Sequence, residues 1–518
     1  MAQLREIEAA FKETGEAWTD PDFGGPDSLG PNIRTTVQKE WLRPAQYSPS
    51  PTLFEGSCSP EDGEQGALGD CYLLTSAAIV AHDPNSRIEE ILIAPRPQFA
   101  GAGVFVVRLF KNSKWTPVLV DDRLPCREGC FYLAKKPAKL YAGNHSDPDR
   151  KGRTRYALPA FARSRSRCEL WPSILEKAYA KHAGSYSAIA GGLVHSALVD
   201  LTGGFGDWVN MKDPAVAQDI ESGALWSNLL SWSSSGFLLG CGSNAGSDNK
   251  TSPLGIVQGH AYAIMDCKEF SDSAGQHRLL QLVNPWAKGE WKGAWSDVDT
   301  ASWSKKAKRL LNYDPATADD DDGEFWMSFE DFVREFRNVY LVRRFAAVGG
   351  PPRGVTEEPW YKYQVRGRWE GEAAGGCTNF ADTCWRSPQF LVKPSAPSAL
   401  FVSLSQSVPA GAAPVPIGMK LLDNGEKRAK FVYAGEVAAQ AAYSPVQEVT
   451  FEASVEPASG GKAFVLFVST FNPGEERDFT LTVFSRKRLE GTVPAQAGSG
   501  SAVFGSLQAL DSSTPHNG

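Results

Sequence analysis

The chain has 518 residues, 42% of them hydrophobic and 22% charged, which at about 100–200 residues per domain gives two to four ordinary cores and excludes a wholly disordered chain. Lys and Arg total 53 against 60 Asp and Glu, a formal charge of -7, so there is no domain-wide basic footprint and nucleic acid is not an expected partner. No run approaches the roughly 18 apolar residues of a membrane span, the amino terminus lacks a signal peptide's apolar centre, Ala2 argues against N-myristoylation, and nine scattered cysteines read as reduced thiols. A cytoplasmic protein is expected, with recruitment to membranes left open.

In chain order, residues 1–48 open with Leu4, Ile7, Ala10 and Phe11 at helical spacing and then turn rich in Asp, Pro and Gly, predicting one helix and an arm lying on a neighbour. GALGDCYLLTSAAIVAH from Gly66 reads as a Gly-punctuated turn and a buried apolar helix over 71–81. GVFVVRLFK at 103–111 and TPVLVDDRL at 116–124 alternate as strands, while the polar, basic stretch 142–168 sustains neither period and reads as a surface insertion. WPSILEKAYAKH from Trp171 predicts a helix with Pro172 in its first turn. Short apolar runs at 257–265 and 278–283 predict a second, β-dominated unit. Past a Pro/Gly linker, VGGPPRGVTEEP, the segments ALFVSLSQ, KFVYAG, VTFEASV, AFVLFVS and FTLTVFS predict a β-sandwich, and the chain beyond Arg488 is rich in Gly, Ala and Ser and expected to be disordered.

Cys71 follows Gly69 and Asp70 at the start of its helix, where the positive end of the dipole lowers a thiol pKa. The alternative is an inert helix cysteine. His260 stands between a Gly and an alternating strand in QGHAYAI, Asn284 ends a strand before Pro285, Trp286 is placed to shield an imidazole–amide bond, and Gln65 lies close enough in sequence for its amide to join the Cys71 N–H as an oxyanion donor. Each signal alone has a bland structural reading.

Together they resemble the calpain family. The resemblance rests on EQGALGDCYLL, WPSILEKAYAKHAGSYSAIAGG, VQGHAYAI, VNPWAKGEWKGAWSD and DDGEFWMSFEDF, with His260 and Asn284 standing 189 and 213 residues after Cys71; WTDPDF at 18–23 and GRWEGEAAGGCTNF at 367–380 extend it. It implies an α+β chain: a two-lobed, papain-like protease core followed by an antiparallel β-sandwich. The implied division is an N-terminal helix and arm (1–48), a helical lobe with the nucleophile (49–201), a β-rich lobe with His and Asn (202–346), the sandwich (347–488) and a tail (489–518). It further implies a calcium-dependent cysteine endopeptidase making limited cuts in proteins, with Cys71 as nucleophile, His260 as base, Asn284 as orienter and Gln65 as oxyanion donor. Trp286 matches a Trp that moves aside for the cleft to assemble.

The resemblance places calcium on Asp62 and Glu176 in the first half and on Glu290, Asp297, Asp322 and Glu324 in the second. As an EF-hand, with Gly323 at loop position 6, the acidic run fails, since positions 1 and 12 fall on Ala318 and Phe329. Without the ion the acidic positions repel, so Cys71 and His260 are expected apart. Two departures stand out: Tyr72 replaces the family's usual Trp, and nothing encodes a penta-EF-hand domain, so no small regulatory subunit is expected. The sandwich is a candidate surface for a phospholipid or protein partner. A non-catalytic scaffold is the alternative function, and transglutaminase-type chemistry ranks third because its usual third residue is Asp.

Overall fold

The computed structural model describes residues 2–31, 33, 40–60, 62–83, 88–111, 114–131, 140–141, 154–286, 288–316, 322–344, 360–408, 412–425, 428–456, 463–490, 493–494 and 504–506. The chain forms two compact units, Met1–Lys111 with Trp115–Arg343, and Asn112–Lys114 with Arg344–Gly518. The architecture is mixed α and β.

In the first unit helix α1 (Ala2–Thr14) buries Leu4 and Ile7, and the buried Glu8 takes the Arg96 guanidinium. Helix α2 (Cys71–His82) is apolar on every side, so it has no face fit for water. Leu73, Ala77 and Val80 are at most 1% exposed, and each large one contributes roughly 1.5–3 kcal/mol. Helix α3 (Trp171–Ala183) carries Pro172 in its first turn and stops at Gly184, whose φ of 101° suits glycine. Helix α4 (Val194–Thr202) packs on α2.

Short strands β1 (Glu40–Leu42) and β2 (Gly63–Glu64) precede β3 (Val104–Lys111) and β4 (Lys114–Asp121), where alternating sequence predicts strands. Strand β5 (Leu124–Phe131) pairs antiparallel with β1 and with β6 (Thr154–Pro159), and β7 (Arg163–Ser164) pairs with β2. The expected surface insertion is therefore built into sheets from Thr154 onward, its hydrogen bonds supplied by distant partners; residues 142–153 lie outside the described ones.

A six-stranded antiparallel sheet follows, in the order β8 (Phe205–Asn210), β13 (Phe336–Arg343), β9 (Leu238–Ser243), β10 (Ala261–Asp272), β11 (Gly275–Val283), β12 (Glu324–Ser328). One apolar cluster joins Leu73, Val80 and Leu198 of the helices to Ala263, Val283 and Val342 of the sheet. Leu239, Leu282 and Phe325 belong to a second cluster. Helix α2 and the sheet thus share a core, which fixes α2 against β10.

The second unit has two sheets. One runs β19 (Glu448–Val455), β16 (Ser398–Gln406), β21 (Arg477–Ser485), β14 (Tyr361–Trp369), and the other β15 (Gln389–Val392), β20 (Phe464–Thr470), β17 (Ile417–Leu422), β18 (Val437–Ser444), all these pairs antiparallel. Their apolar faces meet in one cluster through Val402, Leu404, Leu466, Val468, Leu481 and Val483, as a sandwich requires. KFVYAG is not a strand: Phe431 and Tyr433 are 52% and 65% exposed, and only Val432 between them packs on an apolar cluster with Leu422 and Phe467. In the expected disordered tail, Phe504–Ser506 lies parallel to β14 and Val493–Pro494 pairs with it.

Candidate active site

Cys71 is the first residue of α2, and the Ala261 backbone N–H at the start of β10 favours the charged form of its thiol. The helix end alone argues for a lowered pKa, yet enclosure dominates and pushes the thiol up to about 11, with the adjacent Asp70 acting in the same direction. Behind it Asp70 and Glu176, 0% and 1% exposed, face one another. Burial pushes Asp70 up to about 6, and burial plus the Asp70 charge raises Glu176 well above the usual range, so the pair retains a proton.

His260 precedes β10 by one residue and is 3% exposed. The Ser243 hydroxyl accepts its N–H at 2.9 Å, and its carbonyl accepts the Ser243 N–H at 2.9 Å. Its Nε2 lies 2.9 Å from Asn284 Oδ1. Asn284 Nδ2 donates to the carbonyls of Lys288 and Gly289 at 2.8 and 3.0 Å, which fixes the amide oxygen toward the imidazole. Nε2 must then carry the ring proton, leaving Nδ1 basic. Burial holds the imidazole down at about 4, against the Asn284 bond, which raises it. Among the described residues no hydrogen bond joins Cys71 to His260, so neutral thiol and neutral imidazole lie in one core without an ion pair.

Gln65 is engaged on both sides of its amide. Its Nε2 donates to the Leu68 carbonyl at 2.6 Å, and its Oε1 accepts the Trp286 indole N–H at 2.7 Å. An indole only donates, so the amide orientation is settled. The Trp286 ring also lies 4.5 Å from the His260 ring, centroid to centroid, bridging the two. Tyr72, in place of a Trp, packs on Gly192, where a Cβ would meet the phenol ring at 2.5 Å.

The acidic positions divide. Asp62 is bound in a turn by the Ser59 N–H and hydroxyl, and the carboxylates that interact with its neighbourhood are Glu169 and Glu55. Glu176 is instead interior to α3 and accepts the Ala162 N–H, so it corrects to a core residue; Glu169, ahead of the helix, faces Asp62. In the second half Glu290 accepts the Gly323 N–H at 2.8 Å, Asp322 accepts the Glu324 N–H at 2.8 Å, and Glu324 accepts Gln281. Asp297 accepts the Tyr313 hydroxyl at 2.7 Å, and the charges of Asp297, Glu324 and Asp322 all raise that phenol. Sequence reasoning missed Tyr313, whose only signal is its place ahead of the acidic run. Among the described residues no three His, Cys, Asp or Glu side chains converge as a preformed metal cluster. The hard oxygens around Tyr313 nonetheless suit calcium chemically.

A family model described as calpain family cysteine protease matches residues 18–143 and 149–343, and one described as calpain large subunit, domain III, matches 365–484. Fold and matches together define the class, a cysteine protease unit followed by a β-sandwich. Among relatives, calpain-type cysteine protease ADL1 of Oryza sativa subsp. japonica is 36% identical over 520 residues, 94% of this chain and 22% of that protein. Calpain-type cysteine protease DEK1 of Zea mays is 37% identical over 519 residues with the same shares, and Calpain-9 of Rattus norvegicus is 29% identical over 515 residues, 94% of this chain and 67% of its own length. This chain belongs to the calpain family of cysteine proteases. It spans 22% of the length of the rice and maize relatives.

Proposed function

We propose that this chain is a calcium-dependent cysteine endopeptidase making limited cuts in cytoplasmic proteins through Cys71, His260 and Asn284. The observation that carries this reading is the buried His260–Asn284 pair, its tautomer set by two carbonyls, with His260 directly before Ala261, whose N–H favours the Cys71 thiolate. Basic Nδ1 is the atom suited to take the thiol proton. Thiolate attack on the peptide carbonyl then forms an acyl-enzyme, His260 returns the proton to the leaving amine, and water releases the acyl group.

With Trp286 seated on Gln65 and His260, the site is at rest. Withdrawal of the indole frees Gln65 and readmits solvent to both reactive groups, which relieves the burial that keeps thiol and imidazole neutral. Glu290, Asp297, Asp322 and Glu324, and on the other side Asp62, are the residues suited to calcium; when bound, the ion would supply charge neutralisation there. The Asn284 N–H donates to the Gly323 carbonyl at 2.8 Å, while the Gly323 N–H is held by Glu290, so the acidic loop and the orienting amide move together. The Arg165 guanidinium bonds the Asp322 carbonyl at 2.9 Å and ties the same loop to the β7 segment.

The test is casein proteolysis by the purified chain across a calcium titration, with Cys71→Ser and Asp322→Ala beside it. Cleavage that rises with calcium, dies in the serine variant and needs more calcium in the alanine variant is expected. Cleavage that persists in Cys71→Ser overturns the nucleophile, and silence of the parent at millimolar calcium transfers the reading to a non-catalytic scaffold.

A further inference from the structure

The amino-terminal end of α3 borders a small, partly open pocket, lined among others by Tyr47, Arg163, Ser164, Arg167, Glu169 and Ser173. Two donors there are buried and unused. Arg163 is 4% exposed; one of its nitrogens is bound by the Glu64 carboxylate, but Nε and Nη1 have no hydrogen-bond partner. Tyr47 is 7% exposed, and its hydroxyl has none either. A buried donor without an acceptor is costly, and more so when charged, so two beside one pocket call for an acceptor inside it.

The charges around the cavity favour an anion. Arg127 stands close enough for its guanidinium and that of Arg163 to repel, and its Nε is likewise buried without a partner. The carboxylates on the walls are already engaged: Glu169 accepts the Glu55 N–H and the Ser164 hydroxyl, both at 2.9 Å, and Glu64 holds Arg163. The 13-residue α3 adds the positive end of its dipole. Several donors on different walls of a small enclosure suit an ion that presents acceptor oxygens in several directions.

We infer that this cavity binds a small phosphate-type oxyanion through Arg163 and the Tyr47 hydroxyl at the start of α3. Glu64 pairs with Arg163 across the β2–β7 ladder, and Gln65 follows Glu64 directly, so an occupied site stiffens the strand that leads into the cleft. Binding itself does not depend on the proteolytic reading.

The experiment titrates inorganic phosphate into the full chain in calcium-free buffer, with ionic strength held constant by sodium chloride, and follows heat of binding and melting temperature. Saturable one-site binding with a rise in Tm is expected. Arg163→Gln should weaken it at least tenfold. Tyr47→Phe, which keeps the ring and removes only an unpartnered hydroxyl, should weaken it several-fold without lowering the Tm of the unliganded chain. O-phosphoserine in a parallel arm separates the sources: binding of phosphate alone supports a free ion, and equal binding of both supports a phosphorylated side chain. Absence of saturable phosphate binding, or affinity unchanged in both variants, overturns the site.

Discussion

The interiors of the two units are built from different polar chemistry. In the catalytic unit, charges are buried as pairs, Lys177 with Asp121, both fully enclosed, Lys111 with Asp200, and Arg163 with Glu64, and two carboxyls, Asp70 and Glu176, are buried near each other. In the sandwich the buried polar groups are mostly neutral: Ser398 with Ser485 at 2.9 Å, Tyr443 with Ser469 at 2.6 Å, and Gln389, which exchanges two bonds with the Ala429 backbone. Neutral pairs satisfy a core at low stakes. Buried charges are costly to place and costly to disturb, and they make one unit sensitive to pH and ions while the other is indifferent.

The largest expected effect tests that contrast at its deepest pair. Lys177 Nζ donates to Asp121, to the Asp121 carbonyl at 3.0 Å and to the Arg123 carbonyl at 2.7 Å. Lys177→Met should cost the catalytic unit about 3 kcal/mol in urea unfolding, with the sandwich transition unmoved; a loss under 1 kcal/mol removes the pair from any central role. Next comes pH. His260 falls from an ordinary value of 6.5 to about 4 on folding, so the unfolded chain binds more protons between those values. Its contribution is present above pH 6.5 and lost as pH falls toward 4, up to roughly 3 kcal/mol. Asp70, raised to about 6, acts oppositely, its favourable share fading as pH rises through that value. In unfolding measured from pH 4 to 7 these two shifts oppose each other in the catalytic unit, so His260→Gln, which leaves the carboxyl contribution alone, should make its stability fall as pH rises, while the sandwich stays flat. The smallest effect is Tyr443→Phe, expected to cost about 1 kcal/mol independent of pH; a pH-dependent loss breaks the contrast.

Much of this was legible in order along the chain. The apolar run after Cys71 admits only a buried helix, the alternation at 103–111 only a half-buried strand, and the Cys, His and Asn motifs carry their family wherever they fold. What periodicity could not supply was partnership. Residues from Thr154 read as surface because the strands that complete their hydrogen bonds come from residues 63–64 and 124–131. KFVYAG alternates as a strand does, and Val432 packs on the sheet beneath it, but no strand pairs with its backbone. Glu176 and Glu169 are both acidic and seven residues apart; only the packing of α3 turns the first inward to Asp70 and leaves the second facing Asp62.

The same division holds at the site. Sequence alone singled out Cys71, His260 and Asn284 as candidates, because nucleophile, base and orienter are a matter of side-chain type and motif. Tertiary structure decided their state. It enclosed the thiol so that desolvation outweighs the helix dipole, turned the Gln65 amide to Leu68 and Trp286, and set the imidazole tautomer through the carbonyls of Lys288 and Gly289. Protonation and orientation depend on dielectric surroundings and on donors brought from elsewhere in the chain, and neither is local in sequence.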